Sequence, residues 1–143
     1  MEKTLMMTVK DAYKKWREYM KSLSVDAGIP DSYRMALTFL LRHPGANQRD
    51  LAEFRNITTA SVSQIVKDME ASGYLRKETD AKDQRYFNLY LTEKGVTCAE
   101  RLHQRIDEAD QKITELFTPE KEKEMIGLLQ ELSDIIEKEM TKC

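Results

Sequence analysis

The segment "ITTASVSQIV", residues 57–66, places four hydroxyl side chains within positions 58–63, where an apolar stripe of helical spacing begins. Serine and threonine compete with a helix for its backbone hydrogen bonds and are favoured at caps and turns. Val62, Ile65, Val66 and Met69 form the stripe and should face inward. Stepping about 100° per residue puts Ala60, Gln64 and Lys67 on the opposite side, with Ser63 at its edge. Thr58 is the candidate N-cap.

Upstream, Asn47 can cap a short helix from Gln48 to about Phe54, with Asp50 in its first turn favouring the dipole. Leu51, Ala52 and Phe54 are its packing candidates. The break at "RNIT" joins this helix to the next, giving a helix-turn-helix pattern. Before it, "MALTFLL" is apolar nearly all round and predicts a central helix from about Asp31 to Arg42, ended by "HPGAN". A first helix from about Val9 to Leu23 carries Val9, Tyr13, Trp16, Met20 and Leu23 on one face, with Lys10, Lys14, Arg17 and Lys21 outside it.

Downstream, Gly73 stands in a C-cap position, and the period then changes from helical to alternating. "YLRKETD" and "RYFNLYLT" read as two strands, the second alternating Tyr86, Asn88 and Tyr90 against Phe87, Leu89 and Leu91; "DAKDQ" between them suits a hairpin turn. Thr92 offers an N-cap for a long helix to about Phe117, on the order of 38 Å at the helical rise. Ala99, Leu102, Ile106, Ala109, Ile113 and Leu116 step along it in threes and fours, a heptad seam shaped to meet another helix. Pro119 restarts the chain at a helix N1 position, and Met125, Leu128, Leu129, Leu132, Ile135, Ile136 and Met140 stripe the last helix. The two terminal regions carry more apolar stripe than one small domain can bury, which predicts a homodimer; an intramolecular helical hairpin is the alternative.

Composition agrees with a helix-rich single unit: 143 residues, 41% hydrophobic and 34% charged, with 5 Gly and 3 Pro. No apolar run reaches the roughly 20 residues of a membrane helix, so the expectation is a cytoplasmic protein with no membrane partner. Cys98 and Cys143 form no CxxC, His43 and His103 lack partners at a metal spacing, and the glycines make neither a P-loop nor a dinucleotide fingerprint. Neither an enzyme, a metal site nor a cofactor is expected. The net charge of -2 is unevenly spread: residues 1–46 hold 8 Lys/Arg against 5 Asp/Glu, 47–91 hold 7 against 7, and 92–143 hold 8 against 13. A local cationic surface can therefore exist away from the acidic C-terminal third.

The order helix, helix-turn-helix, two-stranded wing and two long helices resembles the MarR family of winged helix-turn-helix transcription factors. The matching residues are "LLRHPGANQRDLAEF", "NITTASVSQIVKDMEASGYLRKETDAKDQRYFNLYLTEKG" and "LFTPEKEKEMIGLLQEL". The resemblance implies a mainly α fold with a β-wing: one chain unit over 1–143, a DNA-binding domain over 31–91, and dimerisation helices over 1–27 and 92–143. It also implies a homodimer on a pseudo-palindromic operator, acting as a repressor released by a small aromatic or anionic effector. A winged helix used for protein–protein contact, or a redox sensor using Cys98, are the alternatives.

On that resemblance the DNA-facing candidates are Thr58, Thr59, Ala60, Ser63, Gln64 and Lys67. Hydroxyls and free N–H groups at the helix start suit phosphate, Gln64 suits adenine N6/N7, and Ala60 suits a thymine methyl. Arg49 is a phosphate candidate. Family wings read D-P-x-D-R-R, whereas this one reads Asp80-Ala81-Lys82-Asp83-Gln84-Arg85, which shifts minor-groove contact to Lys82. Arg85 either reaches DNA or braces the wing on Asp83 or Asp80. Tyr13, Trp16, Tyr19, Tyr33 and Met35 are candidates for an effector cleft, against the alternative of ordinary core packing.

Overall fold

In the computed structural model, which describes residues 1–143, six helices and one hairpin follow in the order α1 (Leu5–Asp26), α2 (Asp31–Arg42), α3 (Gln48–Arg55), α4 (Thr59–Ala71), β1 (Leu75–Thr79), β2 (Phe87–Leu91), α5 (Glu93–Thr114) and α6 (Pro119–Thr141). The chain divides into two compact units, Met1–Ile106 and Asp107–Cys143. The fold is the mainly α winged helix-turn-helix that the sequence predicts.

The first unit is built around α2. Met35, Ala36, Leu37 and Leu40 are almost wholly buried, joined by Leu51 from α3, Val62, Val66 and Met69 from α4, Leu75 and Leu89 from the hairpin, and Ala99 and Leu102 from α5. Each large aliphatic side chain so enclosed contributes about 1.5–3 kcal/mol relative to exposure. The hairpin pairs Leu75 with Leu91 and Thr79 with Phe87 in antiparallel register. Leu89 also exchanges backbone bonds with the α2–α3 connection, accepting from Gly45 N–H at 2.9 Å and donating to Ala46 O at 2.8 Å. That exchange ties the wing's inner strand to the start of the helix-turn-helix.

The joint between hairpin and α5 explains "LTEKG". Thr92 Oγ1 donates to Gly73 O at 2.6 Å and accepts the Gly95 N–H at 3.1 Å, while Lys94 Nζ donates to Ser72 O at 2.9 Å. A Cβ on Gly95 would lie 2.0 Å from the Tyr74 carbonyl oxygen, so only glycine lets α5 come this close to the backbone that leads from α4 into β1.

Several sequence expectations need correction. Helix α1 starts at Leu5 because Thr4 caps it, accepting the Met7 N–H, and it runs on to Asp26. Its supposed inner face is largely exposed: Met20 is buried, but Tyr13 and Trp16 are not. Phe54 is 61% exposed, its ring tilted against that of Phe39 with centroids 4.7 Å apart rather than entering the core. Ser72 is the C-cap of α4, with Gly73 beyond it at φ +81°. The strands begin at Leu75 and Phe87, each shorter than its alternating pattern, and Phe87 is exposed because the ribbon's outer end extends past the core. Helix α5 ends at Thr114, and of its seam Ile113 and Leu116 are exposed. In the second unit α6 has Thr118 as N-cap and Pro119 in its first turn, and none of its residues is buried.

Candidate nucleic-acid interface

Helix α3 opens on a capping box: Asn47 Oδ1 accepts the Asp50 N–H at 2.9 Å and Asp50 Oδ2 accepts the Asn47 N–H at 3.0 Å. The turn into α4 is made by Asn56 at φ 55°, a left-handed conformation that asparagine tolerates. The Ile57 N–H then returns to Ala52 O at 3.1 Å, closing the end of α3. Thr58 caps α4 as expected, its Oγ1 accepting the Ser61 N–H at 3.2 Å and lying 3.0 Å from the Ser61 hydroxyl. Val62, Val66 and Met69 at full burial hold α4 to the core. Thr58, Thr59, Ala60, Gln64 and Lys67 are exposed, and Ser63 is half-buried at the edge of that face. First-turn N–H groups such as those of Thr59 and Ala60 have no carbonyl within the helix to meet, and the dipole favours an anion there.

The wing tip is organised by two carboxylates. Asp80 Oδ1 accepts the N–H groups of Lys82 at 2.8 Å and Asp83 at 3.0 Å. These backbone donors hold the Asp80 carboxyl below its ordinary value. Asp83 takes the Arg85 guanidinium through both oxygens, Nε at 3.0 Å and Nη2 at 2.8 Å. That pairing lowers the Asp83 carboxyl and raises the Arg85 guanidinium. Arg85 is thus found in the bracing geometry, with its guanidinium still exposed, while the Lys82 side chain stands free of the turn that its backbone anchors. Arg49 reaches Glu53 at 3.4 Å, an exposed pair of the kind that contributes little and exchanges readily.

A hollow of about 470 Å³ brings these parts together. It is lined by Asn47, Gln48 and Arg49 at the start of α3, Thr59 at the start of α4, and Arg85, Tyr86 and Phe87 at the foot of the wing. Three predicted residues, Arg49, Thr59 and Arg85, therefore share one concave surface. Gln48, Tyr86 and Phe87 were not singled out from the sequence. Alternation puts Phe87 on the same face of the ribbon as buried Leu89, yet at the open end, where it pairs with Thr79, the ring is exposed.

The effector candidates are dispersed. Tyr13 and Trp16 stack at 5.9 Å on the exposed side of α1, with Arg34 over the Trp16 ring, and Tyr19 is exposed. Tyr33 and Met35 are core residues, Tyr33 edge-on to Tyr74 at 5.6 Å. Of the five, only Tyr13 lines the roughly 360 Å³ hollow along α1, beside Lys10, Lys14, Arg17 and Lys21 and the carboxylates of Glu18 and Asp31. Cys98 is 9% exposed and burial pushes its thiol upward, whereas Cys143 is exposed. No group of three or more His, Cys, Asp or Glu is arranged to hold a metal ion, and no helix is long and apolar enough to cross a membrane.

The sequence profile of the MarR family matches residues 27–85, from the end of α1 to the wing tip. A transcriptional regulatory protein for the hcr operon of Thauera aromatica is 24% identical over 117 residues, covering 82% of this chain and 70% of that protein. The homoprotocatechuate degradative operon repressor of Escherichia coli is 32% identical over 92 residues, 64% of this chain and 62% of the repressor. The same fold occurs in the S. aureus MepR–DNA complex, with a TM-score of 0.82 at 21% identity over 93% of this chain and 98% of that one.

Proposed function

We propose that this chain is a MarR-family winged helix-turn-helix transcriptional regulator, acting as a homodimeric repressor that binds a pseudo-palindromic duplex and is released by a small effector. The observation that carries DNA binding is the outer face of α4. It is small and polar, firmly seated by Val62, Val66 and Met69, and continuous with the hollow that Arg49, Thr59 and Arg85 line. Short side chains at Thr59 and Ala60 let the helix start approach base edges, and Gln64 and Lys67 follow one turn on. Ser63 contributes from the edge, Thr58 caps the helix, and Lys82 reaches from the wing tip. The related proteins point the same way, one named as an operon repressor and one solved with DNA.

Dimerisation rests on α6, where Leu128 and Leu129 are each more than half exposed and Met125, Ile126 and Ile135 are also open. A stripe of this kind calls for a partner helix. Residues 31–91 then serve as the DNA-binding domain, and 1–27 with 92–143 as dimerisation helices, in the cytoplasm. For the effector, Tyr13 stands in a hollow with four cations against the two carboxylates of Glu18 and Asp31, which favours an aromatic anion, and its stack on Trp16, the only tryptophan, offers a fluorescence report of binding. Tyr19, Tyr33 and Met35 complete the candidate set less directly.

A gel-shift with the promoter of the chain's own gene, at stated salt concentrations, tests the reading. Binding that weakens steeply with salt supports it. No shift on any duplex at low salt refutes DNA binding and favours the protein-contact alternative.

A further inference from the structure

Gln64 does not stand alone on the outer face of α4. Its Nε2 donates to Asp68 Oδ1 at 3.0 Å, one helical turn on, and both side chains are exposed. A glutamine amide has one acceptor and two N–H donors, and its last torsion is a broad, roughly two-fold rotor, so an unrestrained amide presents either arrangement. An ionised aspartate only accepts. It bonds the amide nitrogen and repels the amide carbonyl, which removes the flipped arrangement and consumes one N–H. What remains for a ligand is one acceptor, Oε1, and one donor. In the major groove adenine offers N6–H and N7, a donor and an acceptor, whereas guanine offers two acceptors, O6 and N7. A clamped Gln64 complements adenine and leaves its Oε1 facing guanine O6 without a proton between them.

We propose that Asp68 is a positioning residue that sets base specificity, holding the Gln64 amide so that it accepts adenine and rejects guanine. The inference rests on Gln64 facing a base, as proposed above. Asp68 also places a negative charge beside a polyanion, so neutralising it raises affinity for every duplex alike. That general effect is separable from specificity, because it acts on every duplex alike, whereas loss of the clamp changes the adenine-over-guanine ratio at one position; asparagine, whose amide donates as well as accepts, can bond either arrangement of Gln64 and so removes the clamp along with the charge.

The test uses the full chain. Selection from randomised duplexes defines the motif of the wild type and of Gln64→Ala, and the operator position whose preference collapses in Gln64→Ala is the one that Gln64 meets. Competition titrations then compare adenine with guanine at that position for the wild type, Asp68→Ala and Asp68→Asn, with thermal unfolding as a check on folding. Bidentate readout discriminates by roughly 5- to 150-fold. Asp68→Ala is expected to lower the adenine-over-guanine ratio about five-fold or more at that position alone, and Asp68→Asn, which can bond either arrangement of the amide, to lower it there as well. If the Gln64→Ala motif is unchanged, the base-reading assignment fails and the inference with it. If that motif changes but Asp68→Ala keeps the wild-type ratio, only the role of Asp68 is overturned. A change confined to another position also overturns it, because Asp68 would then be touching DNA directly.

Discussion

Replacing Gly95 by alanine sets two effects of opposite sign against each other. In a helix interior alanine is favoured over glycine by about 1 kcal/mol, so propensity alone predicts stabilisation. The new Cβ, however, would lie 2.0 Å from the Tyr74 carbonyl oxygen and 3.2 Å from Leu91 Cβ. Real side chains do not come closer than 3.0 Å, so α5 must retreat from β1 by about 1 Å. The neighbour is backbone and cannot rotate aside. Overpacking of this kind costs about 1–3 kcal/mol. The retreat also stretches the Thr92 N–H bond to Tyr74 O, 3.1 Å, and the Thr92 cap of the Gly95 N–H, worth about 1 kcal/mol. The balance is a loss of about 1–3 kcal/mol. Gly127 is the matched control: it lies in α6 with nothing within 4 Å of its Cβ position, so Gly127→Ala should gain about 0.5–1 kcal/mol. Urea unfolding of the three proteins at one fixed chain concentration measures both, since stability of a dimer depends on concentration. A Gly95→Ala protein as stable as the wild type, or more so, refutes the close-approach argument.

Four shorter predictions follow from the same geometry. Lys82→Ala should weaken binding to all duplexes alike and reduce the salt slope by about one, read from gel-shift titrations at several salt concentrations; a change in the selected motif instead would make Lys82 a base reader. Because the Asp80 carboxyl is depressed in the folded chain, its contribution to the wing turn is present above the ordinary value of 3.8 and is lost only as pH falls through the lower folded value. The Lys82 and Asp83 amide resonances should therefore shift with a midpoint below 3.8, and a midpoint at or above it contradicts the Asp80 turn. Leu128→Glu on the exposed stripe of α6 should convert the dimer to monomer in sedimentation, since burying one leucine is worth about 1.5–3 kcal/mol per protomer. Cys143 should react quickly with a thiol reagent and Cys98 only slowly until the chain unfolds; rapid reaction of both would revive the redox reading.

The legible parts of the sequence were those governed by local rules. Asn47, Thr58 and Thr92 were readable as caps because a short polar side chain before an apolar stripe has one low-energy use. The stripe on α4 likewise fixed which residues face outward, since helical geometry alone relates Val62 and Val66 to Gln64. The misreadings lay where a side chain's fate depends on what stands opposite it. Phe54 fits an inner face by spacing, yet it lies tilted against the Phe39 ring and largely exposed. Phe87 alternates with the inner residues but has no core beneath it, and the Tyr13–Trp16 stripe of α1 finds no cover within its unit.

By itself the sequence determined the element order, the caps of α3 and α4 and the identity of the outward residues of α4, because capping, periodicity and strand alternation act over a few residues. Tertiary structure alone decided that Arg49, Thr59 and Arg85 share one hollow with Tyr86 and Phe87, and that Gly95 is needed for room against Tyr74 rather than for a turn. Contacts of this sort are set by how elements far apart in the chain pack, and no pattern within either element encodes the distance between them.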